Sequence, residues 1–272
     1  MAAPDRTQPH TLTGDFRVHE SFPWVNGTGA HDRMVLVYLP PGYDGAEQRY
    51  PVLYLQDGQN VFDQATAFSD EWRVDETAQQ LIKSRRIEPL IIVGIYNAGD
   101  RRIDEYTPTV DPAKGGGGGA DVYGSMLVGD LKPFIDATYR TLPDPENTAL
   151  GGSSLGGLLT LHVGLRYPMT FGKLAVLSPS VWWGNGVIVR EVEALPRKTP
   201  QRIWLDAGRR EGDDVIPDVR RLRDALVEQG WSIGEDLMYF EARGGEHNER
   251  SWAKRVRPFL KFLFPPRDSA PR

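Results

Sequence analysis

The fold and the chemistry of this chain are decided by the stretch Leu150-Gly151-Gly152-Ser153-Ser154-Leu155-Gly156-Gly157. It contains a Gly-x-Ser-x-Gly pattern centred on Ser154, which is typical of a nucleophile on a sharp turn between a strand and a helix. Such a turn strains the backbone of the serine, so its neighbours must lack a bulky Cβ. The N–H groups at the start of the helix attract negative charge. The stretch therefore predicts Ser154 as a nucleophile, although a chain with 29 glycines can also contain the pattern by chance.

The sequence around this stretch alternates short apolar runs with longer amphipathic ones. Strands are predicted over 52–55, 90–95, 148–150, 173–177, 202–207 and 237–241, and helices over 72–85, 123–139, 214–229 and 248–264, with one more beginning at 158. Two earlier strands, 16–19 and 33–39, are joined across the turn 26–29. The pattern predicts an α/β fold with a mostly parallel central sheet, an antiparallel N-terminal edge and helices on both faces.

Composition limits the function further. The 272 residues are 40% hydrophobic and 25% charged, which is ordinary for a globular protein. We predict a flexible segment over 1–14, a single domain over 15–264 and a tail over 265–272. The net charge of −5 gives nucleic-acid binding no electrostatic support. The absence of cysteine excludes disulfides and thiolate catalysis. With no apolar run of membrane length and no signal peptide, we predict no membrane partner and a cytoplasmic location, and the oligomeric state stays open.

A serine nucleophile needs a base, and in this order of elements the base follows the acid along the chain. The histidines are His10, His19 and His31 before the sheet, His162 within an apolar helix, and His247. His162 is predicted to be a packed core residue. His247 follows the last predicted strand and precedes the last helix, so we predict it as the base; the alternative is an exposed loop histidine.

The acid is expected after the strand over 202–207, where its carboxylate would accept the Nδ1–H of the base. The candidates are Asp206, Glu211, Asp213 and Asp214. Asp206 lies within the strand, whereas Asp213 and Asp214 can cap the following helix. We predict Glu211, at the tip of the loop, with Asp213 next.

Two N–H donors are expected to bind the oxyanion of an acyl-transfer intermediate. One is the N–H of Leu155, the residue after the nucleophile. The other is expected in the loop that follows the strand over 52–55, where Gly58 permits a turn and Gln59 supplies the N–H. An ordinary Asp-Gly turn is the alternative interpretation of that loop.

One low-complexity stretch, Lys114 followed by glycines at 115–119, lies after the strand over 90–95. It lacks the Gly-Lys-Ser/Thr ending of a phosphate-binding loop. We therefore predict a flexible loop that flanks or covers the crevice at the carboxyl edge of the sheet.

Taken together, these residues resemble the putative esterase family of α/β-hydrolases, which includes esterase D-like, enterochelin-esterase-like, feruloyl and acetylxylan esterases and bacterial mycolyltransferases. The segments that carry the resemblance are 37–43, 54–63, 94–97 with Arg102 and 105–108, 151–157, 178–183, and 244–247 with Trp252. The resemblance spans about residues 33–264. It implies an α/β-hydrolase fold and ester hydrolysis by a Ser–His pair with a supporting acid, the least regular member of the family's site.

The resemblance implies a serine carboxylic-ester hydrolase that acts through an acyl-enzyme on a small or a sugar- or siderophore-linked ester. An acyltransferase using the same site is the first alternative, and a peptidase and a non-catalytic binding module are the others. No metal or organic cofactor is predicted, since the sequence has no His pair at i, i+4 spacing. Arg102 is a candidate substrate-binding residue or the ion-pair partner of Glu105 or Asp104. Trp182 and Trp183 are either core residues or one wall of the substrate site.

Overall fold

The computed structural model describes residues 9–23 and 33–267. The predicted turn over 26–29, His31, residues 1–8 and residues 268–272 lie outside this part. The strands are β1 Asp15–Phe22, β2 Arg33–Leu39, β3 Val52–Gln56, β4 Ile91–Ile95, β5 Val110–Asp111, β6 Gly116–Gly117, β7 Thr148–Ser153, β8 Lys173–Leu177, β9 Arg202–Gly208 and β10 Leu237–Ala242. The helices are α1 Val74–Lys83, α2 Arg102–Tyr106, α3 Ala120–Met126, α4 Lys132–Thr138, α5 Leu155–Arg166, α6 Val187–Glu193, α7 Val215–Glu228 and α8 Glu249–Leu263.

Eight strands form the main sheet in the order β1-β2-β4-β3-β7-β8-β9-β10. The pairs β1–β2 and β2–β4 are antiparallel, and every later pair is parallel. Strands β3, β4 and β7 are buried along their whole length, as expected for parallel strands covered on both faces. The predicted α/β fold with an antiparallel N-terminal edge is confirmed.

Two apolar layers cover the sheet, one on each face, because successive side chains of a strand point to opposite sides. In β3, Val52 and Tyr54 join one layer, and Leu53 and Leu55 join the other. The first layer includes apolar side chains of α3 to α7, and the second includes those of α1 and α8. Among the helices of the described residues, none combines the length and the apolar character needed to span a bilayer.

The glycine-rich stretch forms defined contacts where the sequence predicted a flexible loop. Strand β6 pairs with β5, and the N–H of Gly117 donates to Asp104 Oδ1 at 2.8 Å. Gly116, Gly117 and Gly118 have φ of 147°, 114° and 93°, which side chains with a Cβ rarely adopt. The repeated glycine therefore serves backbone geometry, which composition alone does not reveal. The short helices α2 and α6 were also missed, since each has too few residues for a clear periodicity.

The ends of the described chain are held by hydrogen bonds. In the segment predicted to be flexible, the N–H of Thr11 donates to Asp63 and the N–H of Thr13 to Asp75. In the predicted tail, Arg267 binds Glu88. The boundaries of the domain at residues 15 and 264 stay a prediction.

Helix α5 packs closely against the end of β8, and we expect this approach to require glycine at position 157. A Cβ there would lie 2.8 Å from the carbonyl oxygen of Leu177 and 3.1 Å from the Cα of Pro179. Gly157→Ala should therefore reduce the free energy of unfolding by about 1–3 kcal/mol, measured by urea denaturation.

Gly129 is the matched control, since it lies in the π-helical turn Leu127–Leu131 and a Cβ there meets nothing within 4 Å. Gly129→Ala should leave stability unchanged or raise it by about 0.5–1 kcal/mol. Equal effects of the two substitutions would show that close packing is not the reason for glycine at position 157.

Candidate active site

Ser154 occupies the strained turn that the sequence predicted. It lies between β7 and α5 with φ 58° and ψ −123°. A Cβ on Gly152 would lie 2.8 Å from the backbone of Gly156, so glycine at 152 is required for the turn to close. The N–H of Ser154 donates to Leu177 O at 3.1 Å, and its own carbonyl accepts from Ser180 N at 3.0 Å. These bonds tie the strained residue to the neighbouring strand and to the loop that follows it.

The structure brings Ser154, His247 and Glu211 together in one chain of hydrogen bonds. His247 Nε2 lies 2.9 Å from Ser154 Oγ, and His247 Nδ1 lies 3.0 Å from Glu211 Oε2. The three residues follow β7, β10 and β9, whose carboxyl ends meet at the same edge of the parallel sheet. The imidazole is 38% exposed, whereas the Glu211 side chain is fully buried. The imidazole is therefore partly accessible to solvent, whereas the carboxylate that contacts it is not.

The other acid candidates are placed elsewhere. Asp206 is buried and accepts hydrogen bonds from Arg255 at 2.6 Å and from Trp204 Nε1 at 2.7 Å. Asp213 is exposed. Asp214 occupies the N-cap position of α7, but its side chain forms no capping hydrogen bond. Among the four candidates, Glu211 is the one that contacts His247.

Glu211 is held by three further donors on its second oxygen. Oε1 accepts from Ser178 Oγ at 2.6 Å, from Gly208 N at 2.7 Å and from Arg255 Nη2 at 3.2 Å. Burial by itself would raise the pKa of this carboxyl, but the hydrogen bonds of His247 and Ser178 and the charge of Arg255 lower it below its ordinary value. The acid therefore stays ionised although it is buried.

Arg255 is a supporting residue that the sequence reasoning missed. Its guanidinium is buried between Asp206 and Glu211, and it also donates to Ser178 Oγ at 3.0 Å. Burial raises the pKa of Asp206 to about 6 against the opposing charge of Arg255. Its position in the sequence could have identified it. Arg255 lies on the apolar face of α8 with Val256 and Phe259, and an arginine on such a face needs buried partners.

The loop after β3 lies beside the serine, as expected for an oxyanion hole. Strands β3 and β7 are neighbours, with Leu55 paired to Gly151, so Gln56 and the turn Gly58–Asn60 approach the start of α5. Within the described residues, the N–H groups of Leu155 and Gln59 form no hydrogen bond. The role of both N–H groups in binding an oxyanion stays a prediction.

The structure separates the three candidate substrate residues. Trp182 is 48% exposed, with Lys114 Nζ 5.2 Å from the centre of its ring. Trp183 is 1% exposed, packs in the core and donates its Nε1–H to Thr109. Arg102 forms neither of the predicted ion pairs; its Nε and Nη2 donate to the two carboxylate oxygens of Asp57, both at 2.7 Å.

The other described histidines lie away from this site. His162 is fully buried, as predicted, and its ring nitrogens face Asp121 and Glu191. His10 contacts Asp63, and His19 contacts Tyr139. Within residues 9–23 and 33–267, no group of three or more His, Asp or Glu side chains is arranged to hold a metal ion.

The sequence of the chain is similar to those of known proteins. A family model described as "Putative esterase" matches residues 28–263. The Bacillus subtilis protein YbbA is 26% identical over 247 residues, which cover 86% of this chain and 94% of YbbA. The iron(III) salmochelin esterase of Escherichia coli is 31% identical over 214 residues, which cover 73% of this chain and 47% of that longer protein.

The fold is similar to that of the BES protein from Bacillus cereus. That crystal structure superposes with a TM-score of 0.74 at 20% sequence identity, covering 94% of this chain and 97% of the other. At this level of identity, the similarity supports the fold alone.

The lowered pKa of Glu211 predicts how stability changes with pH. Because the folded-state pKa lies below the unfolded value of 4.5, the unfolded chain takes up the proton first as the pH falls. The stabilisation is therefore complete above the unfolded pKa and is lost as the pH falls through the folded pKa. The difference in free energy of unfolding between wild type and Glu211→Gln should therefore shrink as the pH falls below the unfolded value of 4.5. Urea denaturation at several pH values measures it.

Asp213→Asn is the matched control for this measurement, because Asp213 lies in the same loop and is exposed. The free energy of unfolding of Asp213→Asn should differ little from that of the wild type at every pH. A pH-independent difference for Glu211→Gln would contradict the hydrogen-bonded, ionised state of this acid.

Proposed function

The chain belongs to the putative esterase family, and from this premise we propose that it is a serine carboxylic-ester hydrolase that acts through an acyl-enzyme. The observation that supports the proposal most directly is the continuous chain from Ser154 Oγ through the imidazole of His247 to the buried carboxylate of Glu211. A serine hydroxyl becomes a useful nucleophile when a base accepts its proton and an acid orients that base.

In the proposed first step, Ser154 Oγ attacks the acyl carbon of the ester while His247 Nε2 takes the hydroxyl proton. The carbonyl electron pair moves to oxygen and forms a tetrahedral oxyanion. When this intermediate collapses, the bond to the alcohol breaks, and the leaving oxygen takes the proton from His247. The acyl group is then bound to Ser154.

Deacylation repeats the sequence with water. His247 takes a proton from the water as its oxygen attacks the acyl carbon, and the second tetrahedral intermediate collapses. The bond to Ser154 Oγ breaks, and that oxygen recovers the proton. Glu211 remains a carboxylate throughout; it accepts the Nδ1–H and stabilises the imidazolium that forms in each half-reaction.

The oxyanion of both intermediates is proposed to accept hydrogen bonds from the N–H groups of Leu155 and Gln59. Leu155 is the first residue of α5, so the partial positive charge of the helix N-terminus adds to its N–H. Donors that are already in place when the charge develops lower the barrier without reorganisation.

We propose a small or sugar- or siderophore-linked ester as the substrate. The salmochelin esterase among the relatives supports a siderophore-linked ester. The ring of Trp182 is exposed. Trp182 follows Ser180 by two residues, and Ser180 Oγ lies 3.4 Å from Ser154 Oγ. We therefore propose Trp182, but not Trp183, as one wall of the substrate site.

Ser154→Ala tests the proposed function. Hydrolysis of p-nitrophenyl acetate should fall by at least about 10³-fold, because the nucleophile is lost. A fluorophosphonate should label the wild type and not the variant, and mass spectrometry of the wild type should detect a serine-bound acyl group. The melting temperature should change by less than about 2 °C.

Ser125→Ala is the matched control, since Ser125 lies on α3 and bonds to Asp121 O and Tyr167. It should retain labelling and turnover. If Ser154→Ala hydrolysed esters at the wild-type rate, the assignment of the nucleophile would be wrong. If added alcohols or sugars captured the acyl group in preference to water, the enzyme would be an acyltransferase.

The role of Glu211 is tested by comparing two carboxylates of the same loop. Glu211→Gln should lower kcat/KM for p-nitrophenyl acetate by about 10²- to 10⁴-fold, since the imidazole loses its orienting acceptor. Asp213→Asn should change it by less than about two-fold, because its side chain is exposed. Small and equal effects would indicate a Ser–His pair without an acid.

A further inference from the structure

Asp57, which directly precedes the turn that contains Gln59, forms an ion pair with Arg102. Arg102 Nε and Nη2 donate hydrogen bonds to the two carboxylate oxygens of Asp57, both at 2.7 Å. Asn97 Nδ2 donates to the same carboxylate at 2.6 Å. The Asp57 side chain is 8% exposed and that of Arg102 is 20% exposed. Two parallel charge-assisted bonds in a partly buried place fix both position and orientation.

The backbone at this point needs such support. Asp57 has φ 55° and ψ 45°, a left-handed conformation that is unfavourable for a residue with a Cβ. It is followed by Gly58, which lies so close to the next strand that a Cβ would be 2.5 Å from the carbonyl carbon of Gly94. The N–H of Asp57 donates to Tyr106 Oη at 3.3 Å. The path of the chain into Gln59 is thus determined by the contacts of Asp57.

The carboxylate of Asp57 also lies beside the start of α5. Its Oδ2 would be 3.3 Å from a Cβ placed on Gly156, the second residue of that helix. An unneutralised negative charge so close to the N–H groups of Leu155 and Gln59 would repel an oxyanion bound there. Arg102 supplies the opposite charge at contact distance.

Arg102 remains a cation in this place. Burial by itself would lower the pKa of its guanidinium, but the charge and the hydrogen bonds of Asp57 raise the pKa above its ordinary value. The guanidinium carbon also lies 5.0 Å from the centre of the Tyr106 ring. Tyr106 therefore contacts both members of the pair.

We propose that Arg102 is a positioning residue of the oxyanion hole and not a substrate-binding residue. Through Asp57 it holds the N–H of Gln59 in place, and it neutralises the carboxylate that would otherwise oppose the oxyanion. This inference rests on the proposed function, because it assigns the support of the oxyanion hole in that same site. It predicts that Arg102 affects the transition state more than the binding of substrate.

The test uses the full chain and the neutral substrate p-nitrophenyl acetate. Arg102→Gln should lower kcat by about 10- to 10³-fold while KM changes by less than about three-fold, which is the pattern for a lost interaction with the transition state. A trifluoromethyl ketone, which forms an anionic tetrahedral adduct with the serine, should lose affinity by a similar factor. Arg102→Lys keeps the positive charge but loses the bidentate contact, so its kcat should lie between those of the wild type and Arg102→Gln.

A second substitution separates neutralisation of charge from folding. In Asp57→Asn/Arg102→Gln the opposing carboxylate is gone, so kcat should exceed that of Arg102→Gln alone. Arg17→Gln is the matched control; it breaks another arginine–aspartate pair, with Asp44, on the edge strand β1, and it should leave kcat unchanged. Circular dichroism and melting temperatures establish that each variant is folded.

The outcomes distinguish this inference from the proposed function. If Arg102→Gln and Arg102→Lys left kcat for p-nitrophenyl acetate unchanged and raised KM only for esters with an anionic group, Arg102 would be a substrate-binding residue and the inference would be overturned. The inference would also be overturned by a second result. In it, Arg102→Gln lowers kcat, Asp57→Asn/Arg102→Gln has no higher kcat than Arg102→Gln, and the trifluoromethyl ketone binds Arg102→Gln as tightly as the wild type. An active Ser154→Ala would instead overturn the proposed function.

Discussion

The positive φ of Ser154 is the constraint on which the candidate site depends. A strained residue of this kind costs about 1–3 kcal/mol and persists only where its surroundings determine it. Here, β7 is buried along its whole length and α5 packs on the end of β8. The N–H of Ser154 donates to the carbonyl of Leu177, and the carbonyl of Ser154 accepts from the N–H of Ser180. The hydroxyl at this turn lies 2.9 Å from His247 Nε2, and the N–H of the next residue, Leu155, lies at the start of a helix. The proposed nucleophile and one donor of the proposed oxyanion hole thus result from a single backbone feature.

Ion pairs with little exposure to solvent hold the residues around Ser154 in position. On one side, Arg255 lies between Asp206 and Glu211 and holds the carboxylate of Glu211 in one position. On the other side, Arg102 holds Asp57 next to the loop of Gln59. Buried ion pairs contribute little net stability, because desolvation offsets their attraction. Their value here is geometric, since each fixes a carboxylate whose position determines where a hydrogen-bonding group of the site lies.

Much of the fold could be predicted because its signals are local. The strands over 33–39 and 173–177 were predicted with the bounds that the structure has, since runs of buried apolar residues interrupted by turn residues show directly in the sequence. The short helix α2 and the pairing of Gly116–Gly117 with Val110–Asp111 could not be predicted. Both depend on contacts with Asp104 and Thr107 that no periodicity records.

For the site, the sequence by itself determined the turn at Ser154, because the glycines that the turn requires are adjacent to it. It also determined the choice of His247, because elimination left one histidine after the acid candidates. Only the tertiary structure showed that Glu211, and not Asp213, contacts His247, that Trp183 is buried and Trp182 exposed, and that Arg102 pairs with Asp57. It also revealed Arg255, 44 residues from Glu211. These outcomes depend on distances between residues far apart in the chain, and such distances exist only once the parallel strands have aligned their carboxyl ends at one edge.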